Sequence, residues 1–185
     1  MIHSVCEILT TKLNSYFRSR FAQTENIVLL SNLINQDGST AFTEENRIVA
    51  SLLNIEQESA AGSPRKIGGG IAQPQINRPL YLNLNILFSV HFSGKNYADG
   101  LKFFSALIAF FQANTLIDRQ NTPDLDRNID KLTIEMVDVP IETWNNLWGM
   151  IGAKQVPAVL YKLRMLTFQE GLVLGELPLI KEQNL

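Results

Sequence analysis

LYLNLNILFSVHF, Leu80–Phe92, is the stretch on which the fold turns. Leu80, Leu82, Leu84, Ile86, Phe88, Val90 and Phe92 alternate with Tyr81, Asn83, Asn85, Leu87, Ser89 and His91. A period of two over this length predicts a strand with one core face and one largely polar face, on which Asn83 and Asn85 stand exposed. At about 3.3 Å per residue it would run some 43 Å, against about 5 or 6 residues for an ordinary strand. It is expected to overhang its own sheet or to bend.

Working outward, elements of both types appear. Ile2, Val5, Leu9, Leu13, Tyr16 and Phe17 recur at helical spacing and predict an amphipathic helix from Ile2 to Phe21. Asn26–Leu33 reads as a first strand, ended by the turn signal NQDGS, whose Gly38 can take positive φ. Arg47–Ile55 reads as a second strand. The following 59–79 segment holds four glycines and three prolines and no hydrophobic period, and is expected to be a mobile loop. After Phe92, Asn96 is placed to cap a helix reaching Asn114, with Asp99 in its first turn. KLTIEMV at Lys131–Val137 alternates as a fourth strand. Pro140 opens a helix carrying both tryptophans, and Gly152 ends it. Ala158–Thr167 is a fifth strand, with Lys162 and Arg164 on one face. These elements predict one α+β domain over 1–185, a mixed sheet of about five strands with three main helices packed on it.

Sixteen Lys and Arg against eighteen Asp and Glu leave the chain near neutrality, without the basic excess of a nucleic-acid binder. A chain of 185 residues buries roughly 70% of its unfolded surface, enough for a core without staples. The single Cys6 cannot form an internal disulfide, and no secretory signal opens the sequence, so cytoplasmic synthesis is expected. No apolar run approaches the ~20 residues of a bilayer helix, and membrane insertion is not expected.

Sites of chemistry are sparse. Two histidines and one cysteine are too few for an ordinary zinc site, and no cofactor is expected. FSGKNY has Ser89 and Asn96 where a phosphate-binding P-loop needs glycine and a hydroxyl. Asp124, Asp126, Asn128, Asp130 and Glu135 fall at calcium-loop spacing, but Ile129 occupies the position that turns on glycine, and a solvated charged loop is expected instead. No nucleophile and base are paired, so an enzyme is not expected. A ligand- or polyanion-binding module using the Gly-rich loop 62–75 is the alternative function.

Several blocks in order resemble one family. They are NLINQDG (32–38), ENRIVASLLNIEQE (45–58), RPLYLNLNILFS (78–89), NYADGLKFFSALIAFFQ (96–112), QNTP (120–123) and WNNLWGMIGAKQVPAVLYKLRMLTF (144–168). Together they are similar to the tail terminator, or cap, proteins of extracellular contractile injection systems of the antifeeding-prophage and virulence-cassette type. The resemblance implies a phage tail-terminator-like fold and a structural protein without catalytic residues. Its implied partners are further copies in a sixfold ring, the inner-tube protein and the sheath protein. Its implied role is to end tube polymerisation and close the distal end of tube and sheath. The finished particle would be released or anchored. Some relatives carry a further C-terminal region, whose contacts do not transfer.

Beside that resemblance, the residues suggest an assembly surface. Trp144 and Trp148, four apart, share a helix face; Trp148 is expected to anchor the helix on the sheet, and Trp144 with Asn145 and Asn146 to face a neighbour. Asn83 and Asn85 suit pairing between subunits. Lys162 and Arg164 read equally as a solvated strand face or as salt bridges across a ring interface. Leu172, Leu174, Leu177 and Leu179 lie in an apolar C-terminal arm, 169–185, which either covers the chain's own sheet or ties to an adjacent copy.

Overall fold

The long alternating strand takes the centre of the sheet. The computed structural model describes residues 1–58, 80–126, 129 and 131–168. Its elements are α1 (Ile2–Phe21), β1 (Val28–Leu30), β2 (Arg47–Gln57), β3 (Leu80–His91), α2 (Tyr97–Ala113), β4 (Leu116–Asp118), β5 (Lys131–Val137), α3 (Ile141–Ile151) and β6 (Ala158–Phe168). They form one six-stranded sheet of order β1-β2-β3-β6-β5-β4. It is mixed, because β1 runs parallel to β2 while every other pairing is antiparallel.

β3 therefore does not overhang. It is flanked along its length by β2 and β6, and irregularities at Leu52/Asn54 and at Leu82/Leu84 absorb the twist of so long a ribbon. Each has a further effect, because one extra residue flips the parity of everything beyond it. Past Leu53, Ile55 shares a face with Leu84, and Glu56 and Glu58 move to the face of Asn83 and Asn85. Past the second irregularity, Leu166 returns to the core face beside Leu163.

One face of the sheet carries Ile48, Ala50, Leu84, Ile86, Phe88, Tyr161 and Leu163, all buried under α1 and α2. The aromatic rings interlock there: Phe17 meets Phe103 edge-on at 5.5 Å, and Phe111 lies 4.4 Å from Tyr161 and 5.2 Å from Phe88. The other face carries Val49, Leu87 and Leu160 beneath α3, which inserts Trp148. Helices thus cover both faces.

Local chemistry sets the boundaries. α1 ends where Ala22 turns left-handed at φ 51. The NQDGS turn forms as expected, with Gly38 at φ 82 and the Asp37 carboxylate accepting from the Ser39 N–H and hydroxyl. α3 starts after Pro140 and stops at Gly152, φ 76, whose N–H donates to Trp148 O. Three expectations need correction. The first strand spans three residues rather than eight, because only Val28–Leu30 pair with β2. β4 was not foreseen. Asn96 precedes α2 but does not cap it; its amide donates to Asn46 Oδ1, which also accepts the Ser93 N–H.

Candidate functional site: a charged ladder beside a tryptophan helix

On the α3 face the sheet divides into an apolar half, under the helix, and a polar half built by β2, β3, β6 and β5. Register places Asn54, Asn85, Lys162 and Glu135 in one row across these strands and Glu56 opposite Asn83 in the next, where Arg164 pairs with Thr133; Glu58 lies opposite Tyr81, so each glutamate reaches diagonally to the asparagine one row along. Asn85 Nδ2 donates to Glu56 Oε1 at 2.6 Å, and Lys162 Nζ donates to Glu56 Oε2 at 2.7 Å. In the next row Asn83 Nδ2 donates to Glu58 Oε2 at 3.0 Å, and Arg164 reaches the same oxygen through Nε at 3.1 Å and an Nη at 2.8 Å. The Arg164 guanidinium also lies 3.7 Å from Glu135.

Asn83 and Asn85 are thus not exposed. They are 5% and 7% accessible, each held beneath a carboxylate from β2 and beside a cation from β6. A carboxylate accepts only, so each amide must turn its NH₂ towards glutamate. The consequence is that Oδ1 of both asparagines is buried without a hydrogen-bond partner. The hydrogen bonds from Lys162 and then Asn85 hold the Glu56 carboxyl below its ordinary range. Hydrogen bonds donated to Glu58, with the charges of Glu58 and Glu135, raise the Arg164 pKa and keep it firmly protonated. Lys162 and Arg164 are therefore engaged within their own chain while remaining partly accessible.

Trp148 anchors α3 on the sheet. Trp148 is 4% accessible among Val49, Leu87 and Leu160, while Trp144 is half-buried and stacks on it at 6.5 Å and 23°. Asn145 and Asn146 are exposed. Beside them a groove of about 500 Å³ is lined by Ile141, Trp144, Trp148, Val156, Pro157 and Phe104. Leu172, Leu174, Leu177, Leu179 and the Gly-rich loop 62–75 lie outside the described residues, as do Asn128 and Asp130 of the calcium-like spacing. Ile129 of that segment is buried in the core, and no cluster of three metal-ligating side chains occurs among the described residues.

One pairing escaped the sequence reading: the Ser89 hydroxyl and His91 Nε2 are 2.9 Å apart. Ser89 is completely buried and its hydroxyl also donates to Val49 O, so no substrate atom can reach it. Burial lowers the His91 pKa, and the ring packs edge-on against Phe42. This is a structural contact. No described helix is long and apolar enough to cross a membrane.

A mixed six-stranded sheet with helices on both faces defines an α+β domain. The chain belongs to the Pvc16 N-terminal domain family, whose model matches residues 4–182. Among solved structures it is similar to the sheath/tube terminator of the PVC extracellular contractile injection system in its extended state, with a TM-score of 0.61 at 12% identity. That match covers 100% of this chain and 64% of the other. It is also similar to the tube-terminating cap of the anti-feeding prophage, with a TM-score of 0.51 at 13% identity over 96% of this chain and 59% of that one. The chain thus spans under two thirds of the length of either neighbour. No curated protein matches it.

Proposed function

We propose that this chain is the terminator of a contractile injection system, a structural protein that forms a sixfold ring, ends polymerisation of the inner tube and closes the distal end of tube and sheath. The observation that carries this reading is the family membership over 4–182 together with a fold shared along the whole chain with a sheath/tube terminator. Near-neutral net charge suits a contact surface for other proteins rather than for nucleic acid. Trp144, with Asn145 and Asn146, is the side-chain group we assign to the neighbouring protein, since a half-buried aromatic rimmed by exposed amides is the usual make-up of an interface anchor. The polar ladder is assigned to positioning: it fixes β2 and β6 against β3 and so sets the shape of the surface. The particle carrying this protein acts outside the cell that makes it.

Deletion of the chain from a producing strain tests the proposal. Electron microscopy is expected to show tubes and sheaths of uncontrolled length. Particles of normal, uniform length from that strain contradict a terminator role.

A further inference from the structure

The outermost strands, β1 and β4, have three residues each, and on each a single asparagine occupies two of the outward backbone groups. Asn14 Nδ2 donates to Val28 O at 2.9 Å, and the Val28 N–H donates to Asn14 Oδ1 at 2.8 Å. At the other edge Asn121 Nδ2 donates to Leu116 O at 2.9 Å, and the Asp118 N–H donates to Asn121 Oδ1 at 3.2 Å. An amide set this way imitates one residue of a further strand and blocks stray pairing. Each terminal edge is thus partly blocked.

β1 covers only Ile48–Ala50 of β2, and β4 covers only Lys131–Thr133 of β5, with Thr115 O accepting from the Ile134 N–H. The remainder of each longer strand has no strand beside it among the described residues. Hydrogen-bond alternation says which groups are open. Beyond the Leu53 irregularity the Glu58 N–H donates to Tyr81 O, so Asn54 and Glu56 face β3, while Ile55 and Gln57 turn their N–H and C=O outward. On β5 the Ile134 N–H points to β4, so Met136, two residues on, also turns outward. Apolar side chains accompany both runs: Leu52 is 37%, Ile55 42% and Met136 62% accessible. By register all three lie on the α1/α2 face.

The two open runs sit at diagonal corners. β1 covers the start of β2, and β4 covers the end of the sheet where β2 finishes. Two antiparallel steps and a third relate β2 to β5, so these strands run opposite to each other. A second copy can thus set its Met136 run antiparallel against the Ile55–Gln57 run of the first, with β1 and β4 at opposite ends and clear of one another. We infer that copies of this chain join by this pairing, the uncovered end of β2 in one against the uncovered end of β5 in the next, one head-to-tail contact repeated around the ring. The inference rests on the ring reading above.

Ile55→Pro and Met136→Pro test it, because proline is tolerated where the N–H faces outward and each change removes an outward donor and its apolar side chain without breaking a backbone bond within the sheet. Each variant is expected to keep the parent's far-UV spectrum and to run as a monomer where the parent forms a ring. Mixed, the two are expected to give a 1:1 dimer and nothing larger, since each retains the edge the other lacks. A folded variant that assembles like the parent, or a mixture that stays monomeric, overturns edge pairing while leaving the ring intact. A parent that is monomeric even when bound at tube ends overturns the ring reading itself. Ile55→Lys and Met136→Lys keep every backbone bond and are expected to weaken self-association at least about tenfold by charging the apolar contact. Unchanged assembly of both lysine variants also overturns the inference, whatever the folding of the proline variants.

Discussion

Asn14→Leu is the substitution that most sharply separates this sheet from one held by core packing alone. Leucine has the same branched heavy-atom skeleton as asparagine and is better suited to a helix by a few tenths of a kcal/mol, so an account from apolar burial alone predicts no loss. The structure predicts otherwise. Asn14 is 6% accessible and satisfies both the N–H and the C=O of Val28, and leucine leaves those two backbone groups facing an apolar side chain. An unsatisfied buried polar group costs about 1–3 kcal/mol, so two of them cost about 2–6 kcal/mol before the helical gain is subtracted. A net loss of about 1.5–5.5 kcal/mol lowers Tm by roughly 3–22 °C for a domain of this size. Urea unfolding followed by circular dichroism reads the loss as a lower midpoint at unchanged slope. The equivalent Asn121→Leu, at an exposed residue, is expected to cost under about 1 kcal/mol because water replaces the lost bonds. An Asn14→Leu midpoint equal to the parent's refutes the reasoning.

Two glycines should respond with opposite sign to one change. Gly149→Ala meets nothing within 4 Å in α3 and is expected to stabilise by about 0.5–1 kcal/mol, whereas Gly100→Ala drives a Cβ to 2.8 Å from the Phe92 ring and is expected to destabilise in spite of the same helical gain. Thermal denaturation of both checks the pair, and equal shifts contradict the packing described. Glu56 has a lowered pKa, so its bonds to Lys162 and Asn85 contribute in full above its ordinary 4.5 and are lost as pH falls below that value; Glu56→Gln should flatten the decline in stability over the acid range, and an unchanged decline tells against the ladder. His91, also lowered, by burial, binds its proton more readily in the unfolded chain, so stability is complete above 6.5 and falls below it. His91→Gln should remove that part of the pH dependence in denaturant titrations, and a decline of the same size in the variant counts against a buried neutral ring.

The sequence exposes those parts of the fold that depend on local periodicity. Residues Ile2 to Phe21 declare α1, and alternation from Leu80 declares β3. The Trp148 anchor followed from its spacing to Trp144 and the glycine that ends the helix. What stayed hidden depends on partners far along the chain. Asn83 and Asn85 look like an exposed polar stripe because nothing near them shows that Glu56 and Glu58 arrive from β2, and these arrive only through a one-residue irregularity that no motif marks. β4, at three residues, is too short to show a period. Asn14 reads as an unremarked polar position in a helix, and Asn46, at φ 58, as a turn residue, until the backbone of Val28 and the 93–96 loop are folded against them. For the candidate surface, composition suggests contact with protein, but only register shows which cations are already spoken for and which strand edges have no strand beside them among the described residues.

Cryo-electron microscopy of isolated inner tubes incubated with this chain is the measurement closest to the central claim. The account predicts a sixfold ring of the chain seated at a tube end, its copies joined strand to strand between β2 and β5. Bare tube ends, or single copies scattered along the tube wall, would contradict it.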